Sequence, residues 1–230
     1  MAKRPVFSAY KDEVGVQEKL VDFKWYSGFA VSQKQKSIQS LHAEARVYGF
    51  EDLLEISSKS ENELGVALSA FNLLITTKKH KRSFSVESAF QGSKVFERGG
   101  PYTDLFCVDS LSAKRDIRIK ESGNLIKFQF FGTEFPNEPR TFFYDWLYIN
   151  ALVQNADLCT QIREFDGFTD IEFNPEKSIN CQAHSIALYL SLKHNGVLER
   201  ALSSPKEFLT LTKNHYENQT RNVTVQKHMF

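Results

Sequence analysis

Residues 73–98 read LLITTKKHKRSFSVESAFQGSKVFER, and their reading decides the fold class. Leu73 to Thr77 is an apolar, β-branched run; the basic turn KKHKR follows, and Ser83 to Ser85 resumes an extended pattern, which together predict a short hairpin. The hairpin feeds straight into a helix. Ser85 is a good cap for it, because its hydroxyl can accept from the unpaired amides of the first turn. Beyond Ser85, Glu87, Gln91, Lys94 and Arg98 fall at spacings of four, three and four, one row of a helix running to Arg98. Val86, Ala89, Phe90 and Phe96 supply the apolar side. A strand pair joined to an amphipathic helix makes the chain α+β. The polar row has two readings. It is either a solvated face with ordinary surface ion pairing, or a carboxylate held beside an amide and an amine, a unit that can move a proton.

Downstream, Gly99 and Gly100 break the helix, and SLSAKRDIRIKES predicts one helix with a charged outer side. LIKFQFFG (125–132) reads as a strand or an irregular apolar connection. NEPRTFFYDWLYINALVQN predicts the longest buried helix, with Pro139 near its first turn and Phe142, Trp146, Ile149 and Val153 in one apolar row; Trp146 is read as core. NADLCTQIRE is a short helix, DGFTDIEFNPEKSINC a polar loop, and QAHSIALYLSLKHNG a helix that Gly196 ends. Ser204, Pro205 and Glu207 form a helix-start pattern, and the chain from Asn214 on reads as a polar, poorly ordered tail. Upstream, the first 20 residues are polar and extended, and FKWYSGFAV (23–31) reads as a strand or buried edge. Ser32 would cap a helix with Ile38, Leu41 and Ala45 on its apolar row and Gly49 as its stop. Lys34 and Lys36 would then sit in its first turn, where the helix dipole favours anions. That is either a tolerated surface feature or a prepared phosphate site.

The 230 residues suffice for one substantial core, and the 11 Gly and 6 Pro leave little linker, so one helix-dominated domain with a small sheet is expected. Twenty Phe imply an aromatic-rich core. A net charge of +1 argues against a whole-molecule electrostatic grip on nucleic acid. Cys107, Cys159 and Cys181 are scattered, and the six histidines show no metal-ligand spacing, so neither a disulfide framework nor a zinc site is indicated. No run of 18 apolar residues occurs, and MAKRPVFSAYKDE lacks the apolar stretch of a signal peptide. A cytoplasmic protein without a membrane partner is expected, in which the sequons at Asn218 and Asn222 are chance matches. GxSxG, P-loop and GxGxxG motifs are absent. Polar residues concentrate in SQKQKS, ISSKSENELG, the Glu87 row and DGFTDIEFNPEKSIN. The last offers Asp166, Asp170, Glu172, Asn174 and Asn180 on a loop, the kind of segment that carries function.

FKWYSGFAVSQKQKSI, LLEISSKSENELGVALSAFNL, SVESAFQGSKVFERGGPYTDL, EPRTFFYDWLYINAL and DGFTDIEFNPEKSINCQA closely resemble the NADAR antitoxins associated with DNA-modifying ADP-ribosyltransferase toxins called DarT, from about Pro5 to about Leu209. LSAF and SVESAFQGSK also resemble the wider superfamily's blocks, departing from them at Ala70 and Ser88. The resemblance implies a NADAR-like catalytic domain over 51–212, an N-terminal subfamily extension over 1–50 packed on that core, and a polar tail over 213–230. It implies hydrolysis of the N-glycosidic bond between ADP-ribose and the exocyclic amino group of guanine in single-stranded DNA, reversing the toxin's mark, with no metal or cofactor needed. The alternatives are a non-catalytic antitoxin that binds modified DNA or the toxin, and an N-glycosidase on small, riboflavin-pathway-like substrates.

Glu87 matches the superfamily's motif glutamate, Asp170 an acidic position in the late loop and Asn180 the asparagine beyond it. N-glycosidic cleavage passes through an oxocarbenium-like state that needs a carboxylate, and the departing amine needs a proton. A pyrophosphate asks for cations, with Lys34, Lys36, Lys59 and Lys94 as candidates; Ser69, Phe71 and Gln91 would line the same pocket. A lysine of depressed pKa could also capture an opened ribose as a Schiff base, a role open to Lys34, Lys36 or Lys59.

Overall fold

In the computed structural model, which describes residues 1–77, 81–176 and 178–219, the chain opens with a hairpin. Strand β1 (Ala2–Ala9) pairs antiparallel with β2 (Val16–Phe23), Ala2 opposite Phe23 and Ala9 opposite Val16. Helix α1 (Val31–Ala45) lies on the hairpin through Ile38, Leu41 and Ala45, closing a small core over Val6, Val21, Phe23 and Ile171. After β3 (Leu53–Glu55) and the short α2 (Glu63–Ala67) comes the expected hairpin, β4 (Leu74–Thr76) with β5 (Ser83–Ser85). It delivers the chain into α3 (Val86–Gly92), where Ser85 Oγ accepts from Ser88 N at 3.0 Å as the cap.

An antiparallel meander follows, β6 (Lys94–Phe96), β7 (Leu125–Phe130) and β8 (Thr133–Pro136), interrupted after β6 by α4 (Ser110–Arg115) and α5 (Arg118–Glu121). Helix α6 (Phe142–Leu152) is apolar nearly all round and is buried nearly all round, as that composition requires. Next come α7 (Ala156–Gln161), β9 (Gly167–Thr169), the buried α8 (Gln182–His194), α9 (Leu198–Leu202), α10 (Pro205–Leu211) and α11 (Lys213–Glu217). The four-stranded sheet runs β2-β1-β9-β3, with β1 antiparallel and β3 parallel to β9. This mixed architecture is the helix-dominated α+β fold that the hairpin-plus-helix reading predicts.

The main core is a phenylalanine cluster. Phe90, Phe128, Phe135 and Phe143 lie with ring centroids 4.6 to 6.1 Å apart, contacts worth about 0.5–1.5 kcal/mol each beyond area burial. Ser191, buried on α8, ties that helix to the first hairpin. Ser191 Oγ donates to the turn of the first hairpin, where Tyr10 O and Glu13 O lie at 2.9 and 3.0 Å, and accepts from Gly15 N.

Several boundaries differ from expectation, each for a local reason. Helix α3 stops at Gly92 instead of reaching Arg98; Phe106 packs so closely on this last turn that a Cβ at Gly92 would sit 2.6 Å from its ring. The chain reverses into β6, so Lys94 and Arg98 leave the helical row. Residues 24–30 are not a strand. The amides of Lys24 and Tyr26 are taken by Ser40 Oγ and Ser37 Oγ of α1, at 3.1 and 2.9 Å, instead of by a neighbouring strand. Ser32 does not cap α1, whose N-cap is Ala30 with extended backbone. The stretch 110–122 is two short helices, split where Asp116 turns extended (ψ 128°) and pairs with Arg118. Helix α6, at 11 residues, is shorter than α1 at 15 and α8 at 13. Residues 213–217 are helical, with His215 and Tyr216 buried, so the tail is not loose from Asn214. Lys78, Lys79 and His80 of the basic turn, the sequon asparagine Asn222 and the tail beyond Gln219 lie outside the described residues.

Candidate active site

A cavity of about 670 Å³ opens where α3, the loops after β3 and α2, α4, α6 and the 170–180 loop converge. Gln182, the first residue of α8, holds its walls together. Its Oε1 accepts from Ala70 N at 2.7 Å, and its amide nitrogen donates to Ile56 O, so one side chain fixes two lining loops. Gly65 lets α2 approach the end of β3; a Cβ there would meet Glu55 O at 2.0 Å.

Glu87 sits in the first turn of α3 and is 6% exposed, its carboxylate on the cavity wall. Its backbone amide donates to Ala70 O at 2.9 Å, which fixes α3 against the 69–71 loop. Glu87 Oε1 accepts from Gln91 Nε2 at 2.9 Å, and Gln91 Oε1 in turn accepts from Lys94 Nζ at 2.8 Å. The amide thus has only one orientation that serves both neighbours, with a cation at one end and a carboxylate at the other. Burial pushes the Lys94 amine down to about 8; Glu87 opposes that shift and Lys114 adds to it. The Tyr144 hydroxyl reaches the same wall from α6. Burial, and then the Glu87 charge, raise its pKa well above the ordinary phenol value, so it remains a proton-bearing donor.

Asp170, 7% exposed, follows β9 on another wall. Its Oδ1 accepts from Glu172 N and Phe173 N at 3.0 and 3.2 Å. Burial and the neighbouring Glu55 carboxylate nevertheless push its pKa well above the usual range. Glu55 is fully buried behind it, accepting from Thr169 Oγ1 at 2.6 Å and Ile171 N at 2.8 Å, and burial raises its pKa too. Behind this pair His42 Nε2 meets Thr169 Oγ1 at 2.8 Å. Burial and then Arg46 lower His42 to about 4, so the neutral ring donates there.

Of the candidate residues, Glu87, Asp170, Lys59, Ser69, Phe71, Gln91 and Asn180 all line the cavity. Lys94 stands one hydrogen bond behind, through Gln91. Lys34 is at the rim, its Nζ 3.2 Å from Glu172 and 4.5 Å over the Trp25 ring. Lys36 is exposed on α1 and is not part of the lining. Asn180 Oδ1 is buried and has no hydrogen-bond partner among the described residues. Sequence reading passed over four residues. Lys114 and Arg115, from the end of α4, line the cavity, and Lys114 lies 5.1 Å over the Phe71 ring. Tyr144 lies outside the apolar row read on its helix, and Arg4 of β1, on which the charges of Asp170, Glu176 and Glu172 act, carried no periodic signal.

A family model described as the DarT1-associated NADAR antitoxin matches residues 2–222. Comparison with curated proteins gives no match. Nearly the whole chain is covered, and the protein belongs to the DarT1-associated NADAR antitoxin family. Its role is that of an antitoxin whose functional counterpart is a DarT toxin. Among the described residues no helix is long and apolar enough to cross a membrane.

Proposed function

We propose that the chain hydrolyses the N-glycosidic bond joining ADP-ribose to the exocyclic amino group of guanine in single-stranded DNA, and so erases the mark of a DarT-type toxin. Water adds its oxygen to the anomeric carbon, the C–N electron pair leaves with the guanine amine, and a proton returns to that nitrogen. Glu87 stabilises the oxocarbenium-like charge or takes the proton of the attacking water. To Asp170, whose pKa burial and then Glu55 push well above the usual carboxylate range, this reading gives the protonation of the leaving amine. Lys59, Lys114 and Arg115 supply the positive lining a pyrophosphate requires, and Phe71 offers a ring face for a base or sugar. The near-neutral net charge fits recognition that rests on the ADP-ribose and its base more than on the DNA backbone.

The observation that carries this reading is a buried carboxylate, backed by the Gln91 to Lys94 relay, on the wall of a cavity that Lys59, Lys114 and Arg115 also line. Incubation with a guanine-ADP-ribosylated oligonucleotide should release free ADP-ribose and restore unmodified guanine, and Glu87→Gln should abolish both. Protection against the toxin that survives Glu87→Gln would show instead an antitoxin that binds and does not turn over. Of the lysines open to a Schiff-base role, Lys59 is the one on the cavity wall. Borohydride added during turnover should trap a sugar on Lys59, and trapping none ends that version of the chemistry.

A further inference from the structure

On the other side of α8 from the cavity, two histidines far apart in sequence meet. His184 comes from α8 and His215 from α11, and their Nε2 atoms lie 3.2 Å apart with ring centroids at 5.1 Å. Gln219, four residues beyond His215, brings its terminal amide within 2.9 Å of both Nε2 atoms. Hydrogens cannot satisfy this triangle. His184 Nδ1 faces the buried Asp145 Oδ1 at 3.2 Å and gives its proton there, which leaves a bare lone pair at Nε2 in the neutral ring. If the Gln219 amide donates to both rings, two lone pairs oppose each other. If one ring carries the proton between the histidines, it can no longer accept from Gln219. Every arrangement, amide rotated or not, leaves one of the three contacts mismatched.

A cation satisfies all three. The two ring planes lie 23° apart and their Nε2 atoms 3.2 Å apart, a separation that one tetrahedral zinc ion with Zn–N bonds of about 2.0–2.1 Å can span. Rotating the Gln219 amide presents its oxygen to the same ion. Asp145 then fills the second role such sites share, a carboxylate that orients a ligating imidazole through its other nitrogen. Asp145 is itself held by Ser185 Oγ at 2.6 Å and Tyr216 Oη at 3.1 Å, so the orienting group is rigid. Among the described residues no three His, Cys, Asp or Glu side chains are grouped to hold a metal; here the third donor is an amide. The triangle borders a cleft of about 260 Å³, which leaves room for a fourth ligand such as water.

We propose that His184, His215 and Gln219 bind a divalent transition-metal ion of the Zn²⁺ class, through Nε2, Nε2 and the amide oxygen. The ion staples α11 to α8 and stands apart from the hydrolytic cavity. Calorimetric titration of the chelator-treated full-length chain with ZnCl₂, alongside thermal unfolding of the same samples, tests this. The expected result is one saturable Zn²⁺ per chain and a higher unfolding temperature in excess zinc. Gln219→Ala and His215→Ala should each weaken binding by about tenfold or more, while His194→Ala, at an exposed position on α8, leaves it unchanged. Should His215→Ala not fold, the half-exposed Gln219→Ala decides alone. No saturable binding, or binding that Gln219→Ala leaves intact, overturns the proposal. Loss of zinc binding without loss of ADP-ribose release keeps this site separate from the hydrolase reading.

Discussion

Glu87 and Asp170 share one cavity and are kept in opposite company. Behind Glu87 stands an amide and then a lysine; behind Asp170 stands another carboxylate. A carboxylate with a cation at its back suits the work of facing positive charge. One crowded by a second acid suits holding a proton until a leaving group takes it. Acid and base roles at one pH are assigned by such differences in surroundings, since the side chains themselves are chemically alike.

The contrast can be broken most directly at Glu87. Glu87→Gln keeps shape and the bond to Gln91 yet should cut ADP-ribose release by about a thousandfold, measured with modified oligonucleotide, with thermal unfolding little changed. Asp170→Asn should cost about a hundredfold in the same assay and move stability the other way. The folded carboxyl keeps its proton to higher pH than the unfolded one, so the unfolded chain binds fewer protons and wild-type stability falls as pH rises above the ordinary carboxylate range. Asp170→Asn should therefore unfold at a higher temperature than wild type at neutral pH. The gap should close as pH falls toward about 4; a gap independent of pH would remove the crowding argument. Lys94 gives a smaller effect. Its amine, lowered to about 8, loses its charge through that pH, so kcat/KM should drop on the alkaline side near 8. Lys94→Met should lose about tenfold in rate below that pH and show no such limb. The least effect distinguishes lining from surface. Lys59→Ala should raise KM several-fold, whereas Lys36→Ala should leave kinetics unchanged.

What the sequence disclosed was what local rules govern. Ser85 caps α3 because capping depends on four consecutive residues, and the hairpin before it follows from a β-branched run and a basic turn. Gly92 escaped notice because the ring packed against it, Phe106, belongs to a later segment. Lys94 reaches Gln91 although the helical row meant to bring it there is not formed; the reversal into β6 brings it back. Lys34 and Lys36 looked equivalent on a helix start, and one meets Glu172 while the other faces solvent. Arg4, Lys114 and Arg115 are single charges in ordinary surroundings, so no spacing marks them. His184 and His215 are separated by two whole helices, and only tertiary packing joins them.

Strand β1 lies between β2 and β9, with Phe7 opposite Phe168, so a strand laid down at the outset is completed by one that arrives near the close of the sequence. Closing so wide a loop is slow, since its entropy is lost before its contacts reward it. During synthesis the early hairpin and α1 must wait with Val6 and Phe7 uncovered, and Asp170, just past β9, cannot take its place until they dock.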